Sequence, residues 1–180
     1  MQLPMETTDF PVLDPGPFAL LTDLDAPQNI ARMHQVLASA KGYVGLLQVM
    51  GSKFSSSETA MRPVLEEAKK RGLLFVGMEA SNEDRGAAIA EEIALPSVYV
   101  DVKLDDVASG AAIDERLTEL ERIARERGHA VALAEAYPVT IAKLAEWVGS
   151  LAFKELALAP VSAVVTVPAP PPRAAPGAKK

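Results

Sequence analysis

From Tyr43 onward, short apolar runs alternate with longer amphipathic runs of helical period. That alternation restricts the chain to a parallel α/β domain, because strands and helices that segregate into separate layers do not interleave along a sequence. The pattern predicts six strands, over residues 2–5, 43–50, 73–78, 98–105, 129–134 and 156–165, and five helices, over 27–40, 57–71, 84–94, 111–127 and 138–148. The chain therefore opens on a strand with nothing upstream to lie beside it. Either the sheet is open, or units of the fold are missing at the N-terminus.

The helix over 111–127 has the sharpest signature. Ile113, Leu117, Leu120 and Ala124 form one stripe, Glu115, Glu119, Arg122 and Glu126 lie outside it, Ser109 stands where a cap belongs and Gly128 where a helix ends. Before the helix over 57–71, Ser55 and Glu58 have capping-box spacing, and Pro63 is expected either to kink that helix or to mark its first turn. Pro138 suits a first helical position, followed by Ile141, Leu144, Ala145 and Val148 along one face. Residues 6–26 form a long connection, of a length that is usually functional or irregular, and it leaves the C-terminal end of the first strand, the ligand side in parallel α/β folds. From Pro168 the sequence turns to Pro and Ala, so the domain is placed at residues 1–166 and an extended tail without a core at 167–180.

Charge and composition exclude several classes. A net charge of −6 with no basic stripe argues against nucleic acid as partner. With no cysteine there are no disulfides, thiol nucleophiles or thiolate metal sites. Residues 1–6 lack the basic and apolar stretches of a signal peptide, and no apolar run of about 18 residues is present to span a bilayer. Gly42, Gly45 and Gly51 lack the spacing of a phosphate-binding loop, and Ser52, Ser55, Ser56 and Ser57 have neither an elbow motif nor a nearby histidine. His34 and His129 fall outside any ligand cluster. Trp147 adjoins an apolar stripe, which favours packing over sugar stacking.

Acidic residues gather where strands are predicted to end: Glu6, Glu79, Asp105 and Glu135. Together they would form an oxygen-only cation site, whereas separately they are caps or solvated groups. Along 98–105, Tyr99, Asp101, Lys103 and Asp105 share one face under the two-residue strand period. That face lines the interior of a barrel, or else it is the solvated side of an edge strand.

Five segments occur in the order and approximate spacing of one family: 2–6 (QLPME), 45–54 (GLLQVMGSKF), 71–76 (RGLLFV), 101–105 (DVKLD) and 137–140 (YPVT). From Gln2 to about Val164 the chain resembles the divergent polysaccharide deacetylases. That resemblance implies a parallel (β/α) barrel-like fold, incomplete at its N-terminus, an upstream strand ending in paired aspartates, a setting in the periplasm or cell envelope, and metal-assisted removal of acetyl groups from a polysaccharide or oligosaccharide. It implies zinc or another divalent metal as cofactor, and histidines at the positions here occupied by Gln2, Val49 and Glu135. Without them no metal or other cofactor is expected to be retained. By the same resemblance Asp105 and Glu135 are the candidate catalytic residues, and Gln2, Glu6, Gln48, Ser52 and Tyr137 the candidate glycan contacts. The reading is a deacetylase-like protein with weakened or lost hydrolysis. Its alternative is a noncatalytic module of the envelope that binds carbohydrate, or a protein through the 6–26 loop and the Pro-rich tail.

Overall fold

The computed structural model describes residues 1–78 and 83–165. Four parallel strands, β1 (Gln2–Met5), β2 (Gly45–Met50), β3 (Leu74–Gly77) and β4 (Ser97–Tyr99), form one sheet in the order β1-β2-β3-β4. Two more, β5 (Val102–Lys103) and β6 (Ala132–Leu133), form a second parallel pair. The helices are α1 (Ala26–Ala38), α2 (Ser52–Ser56), α3 (Glu58–Lys70), α4 (Gly86–Glu92), α5 (Gly110–Arg127) and α6 (Pro138–Ser150). This alternation gives six short strands and six helices among the described residues, an incomplete (β/α) barrel-like arrangement.

Three apolar clusters hold it together. Leu3, Met5, Leu46 and Phe75 meet Met33, Met61, Leu65 and Ile89 between the larger sheet and its helices. The opposite sheet face carries Leu74, Val76, Val98 and Val100 with Val131 and Leu133 of the β6 segment. The third cluster seats α5 and α6 on the smaller pair through Val102, Leu104, Ile113, Leu117 and Leu120. Burying a Leu, Ile, Phe or Met side chain contributes roughly 1.5–3 kcal/mol each, so these faces decide which side of each strand turns inward.

Local chemistry sets the helix ends. Ser109 caps α5 by accepting from Ala112 N, and Gly128 ends it in the left-handed conformation at φ 84°. The N-terminus of α1 is a full capping box: Asp25 accepts from Gln28 N at 2.8 Å while the Gln28 side chain accepts from Asp25 N at 3.1 Å. For α3 the cap is Ser57, not Ser55, because residues 52–56 coil into α2. Pro63 lies within α3, past its first turn.

Two expected strands are corrected. The single strand over 98–105 is broken at Asp101, where the amides of Asp101 and Val102 both donate to Val131 O, at 2.8 and 3.3 Å. Two donors on one carbonyl are the mark of a β-bulge. It turns the chain over: Val98 and Val100 face the Leu74–Val76 cluster, whereas Val102 and Leu104 face α5. Tyr99 therefore packs on the helix side, edge-on to Phe75 with ring centroids 6.4 Å apart, and does not share a face with Lys103 and Asp105. Over 156–165 there is no strand. The chain there is irregular, with a 3₁₀ turn at Val161–Ala163 that starts after Pro160, a residue with no N–H to give a ladder.

Candidate functional site

Parallel strands direct their C-terminal ends to one side, and two polar clusters form there. At the end of β1, Glu6 is 1% exposed. Its Oε2 accepts from Thr22 N and Thr22 Oγ1, both at 2.6 Å, and its Oε1 accepts from Lys53 Nζ at 2.7 Å. Its backbone carbonyl accepts from Lys53 N and Phe54 N, at 3.2 and 3.1 Å. Burial pushes this carboxyl upward, but the Lys53 and Thr22 hydrogen bonds outweigh it and hold the group below the usual glutamate range. Thr22 belongs to the long connection and Lys53 to α2, so one buried charge ties three segments together.

Ser52 stands beside this knot, its Oγ accepting from Thr8 N at 3.1 Å. Gln48, on β2, is 2% exposed. It donates from Nε2 to Met50 O at 3.1 Å, and its Oε1 has no hydrogen-bond partner among the described residues. Gln2 is exposed on β1, in register with Leu47. Val49 pairs with Pro4 in the same ladder.

The second cluster closes the β5–β6 pair. Asp105 is 5% exposed, and its Oδ2 accepts from Glu135 N and from Thr140 Oγ1, both at 2.8 Å. Thr140, fully buried on α6, thereby locks the first turn of that helix onto the end of β5. The Glu135 side chain is exposed, and Tyr137, 46% exposed, is the N-cap residue of α6. Thus Glu6 and Ser52 are brought together by their neighbours, Asp105 and Glu135 likewise, and no hydrogen bond among the described residues joins the two groups. Glu79 lies outside the described residues.

Four residues here escaped the sequence reading: Thr22, Lys53, Thr140 and Asp84. The first three complete the carboxylate clasps; Lys53 and Thr140 lie within the 45–54 and 137–140 segments without standing out there, and Thr22 belongs to no such segment. Asp84, in the loop before α4, has its carboxyl raised by burial, an effect partly offset by hydrogen bonds from Gly86 N and Ser55. Tyr99 OH, near it, is buried without a hydrogen-bond partner among the described residues. Gly77 explains why the tyrosine fits, since a Cβ there would lie 2.2 Å from its ring.

In (β/α) barrel-like folds the C-terminal strand ends are where functional residues gather. The model for divergent polysaccharide deacetylases matches residues 1–165, and the chain belongs to that family. It is also similar to a crystal structure of an uncharacterized protein from Agrobacterium tumefaciens C58. The TM-score is 0.88 at 35% identity, and the match covers 91% of this chain and 67% of that one. No curated protein matches.

The divalent metal implied by the family finds no suitable donor set here. A catalytic ion needs about three protein ligands and an open position. Val49 has no donor atom, Gln2 offers an exposed amide, and Glu6 is occupied by three hydrogen bonds. No three of His, Asp and Glu converge among the described residues.

Proposed function

We propose that this chain is a polysaccharide-deacetylase-like protein of carbohydrate metabolism in the cell envelope that has weakened or lost metal-dependent hydrolysis and keeps the capacity to bind glycan. The observation that carries this reading is the engagement of both buried strand-end carboxylates by protein donors: Glu6 by Thr22 and Lys53, Asp105 by Glu135 N and Thr140. A general base or metal ligand needs a lone pair free for water or ion: Glu6 has both oxygens engaged, whereas Asp105 is held through Oδ2 alone. Carboxylates clasped in this way hold the strand ends in place. Around them Gln2, Ser52, Glu135 and Tyr137 offer exposed amide, hydroxyl, carboxylate and aromatic groups, the chemistry that contacts sugar hydroxyls and ring faces.

The test is acetate release from an N-acetylated oligosaccharide, with zinc present and with metal chelated, beside retention of the chain on the immobilised polysaccharide. Retention without acetate release is expected, and Tyr137→Ala weakens it. Metal-dependent acetate release that is lost in Glu135→Gln contradicts the reading, and absence of retention contradicts its binding half.

A protein-binding role is favoured by one separate observation. The loop after β1 exposes Val12 (95%), Phe18 (48%) and Leu13 (46%). The Pro-rich tail invoked with it lies outside the described residues. If this loop captures an envelope protein, Val12→Asp abolishes capture while the fold persists. Unchanged capture removes the idea.

A further inference from the structure

The end of the β5–β6 pair carries more charge than the clasp on Asp105 uses. Val102 and Leu104 face α5, so Lys103 between them turns to the opposite side, the one that carries Val131 and Leu133. Its ammonium pairs with Asp106 at 2.8 Å. That hydrogen bond, aided by the charges of Asp106, Glu135 and Asp105, holds the lysine above its ordinary pKa against partial desolvation. Three carboxylates thus act on one ammonium, an excess of two negative charges, and Glu135 is exposed with no salt bridge of its own among the described residues.

Asp105 differs from the other two acids. It is 5% exposed, and its Oδ2 alone is engaged, by Glu135 N and Thr140 Oγ1. Among the described residues, the polar side-chain atoms that are both sealed from solvent and unpaired are Gln48 Oε1 and Tyr99 OH. Asp105 Oδ1, which accepts no hydrogen bond from a described residue, therefore opens outward. A buried carboxylate fixed through one oxygen presents the other as a rigid acceptor, which a solvated surface acid does not. Exposed Tyr137 stands at the N-cap of α6, whose first turn Thr140 locks onto this same end.

The charge excess calls for a cation, and the spacing selects its kind. A bare metal ion needs several oxygens at about 2.0–2.6 Å, and no three of His, Asp and Glu are placed to hold one among the described residues. A primary ammonium asks for less: it donates up to three hydrogen bonds from one nitrogen and is attracted by acids it does not touch. Lys103 already places such a group in this field. A neutral acetamide gains nothing from it.

We propose that Asp105, Asp106 and Glu135 form a binding site for a primary ammonium, and that on a glycan this site selects the free-amine sugar over its N-acetylated form. The sugar half rests on the glycan-binding function proposed above, and the ammonium half on the charge arrangement alone. A free polyamine carries the same group, so the test separates the two sources.

Calorimetric titration of the full chain, at mildly acidic pH and low salt, compares three probes: a glucosamine tetramer, its fully N-acetylated counterpart and spermidine. The free-amine tetramer is expected to bind roughly tenfold tighter than the acetylated one, to lose that margin as salt rises, and to bind tighter than spermidine. Glu135→Gln is expected to erase most of the preference. Lys103→Ala, which removes the resident cation and releases Asp106, is expected to strengthen free-amine binding about threefold. Both side chains are exposed, so circular dichroism stays unchanged. Equal binding of the two tetramers, or a free-amine affinity that either substitution leaves unmoved, overturns the ammonium site while the glycan-binding function stands. Spermidine binding without either tetramer supports the ammonium site and overturns the glycan as its source. Absence of binding by all three probes overturns both.

Discussion

Single carboxylates set the behaviour of the strand ends. With the folded Glu6 carboxyl held below its ordinary value, its contribution to stability is present above the unfolded glutamate range and is lost as pH falls through the lowered folded value. Glu6→Gln is expected to destabilise the chain by about 1–3 kcal/mol at neutral pH and to flatten the acid limb of a urea-unfolding series taken from pH 7 to pH 3. An unchanged acid limb would show that the buried charge does not hold Thr22 and Lys53 to β1. Gln48 runs the other way. Its Oε1 is a buried, desolvated acceptor with no hydrogen-bond partner among the described residues, so Gln48→Met should raise stability by about 0.5–1 kcal/mol, read as a higher melting temperature; a clear fall would mean the amide has a partner that matters.

At the scale of elements, the joint between β4 and β5 depends on Asp101, which accepts from Arg127 Nη1 at 2.6 Å and from Val131 N at 2.8 Å. Asp101→Ala leaves that amide unpaired, and we expect a cost of about 1–3 kcal/mol with loss of hydrogen-exchange protection at Val131. Undiminished protection would show that the bulge alone holds the strands. This joint also marks where sequence reading stops. Five of the six predicted strands and all five predicted helices have counterparts, because apolar periodicity, Ser109 and Gly128 report local preferences. A bulge leaves no periodic trace: alternation from Val98 to Asp105 reads as one unbroken strand, while two amides sharing Val131 O turn Tyr99 away from Lys103. The 156–165 run has strand-like composition, but Pro160 and an irregular path prevail there. The candidate site divides in the same way. Glu6 and Asp105 stand out as acids at strand ends, whereas the roles of Thr22, Lys53 and Thr140 come only from folding, which joins them to those acids across 16, 47 and 35 positions.

For the whole molecule, membership of the deacetylase family gives the scaffold, and the proposed reading takes the clasped strand-end acids as structural. Titration of the purified chain with Zn²⁺ by calorimetry, at neutral pH and beside Glu135→Gln and Asp105→Asn, tests this most directly. The account predicts no site tighter than about 100 μM and the same weak isotherm for both variants. One tight zinc per chain, weakened in either variant, would contradict it.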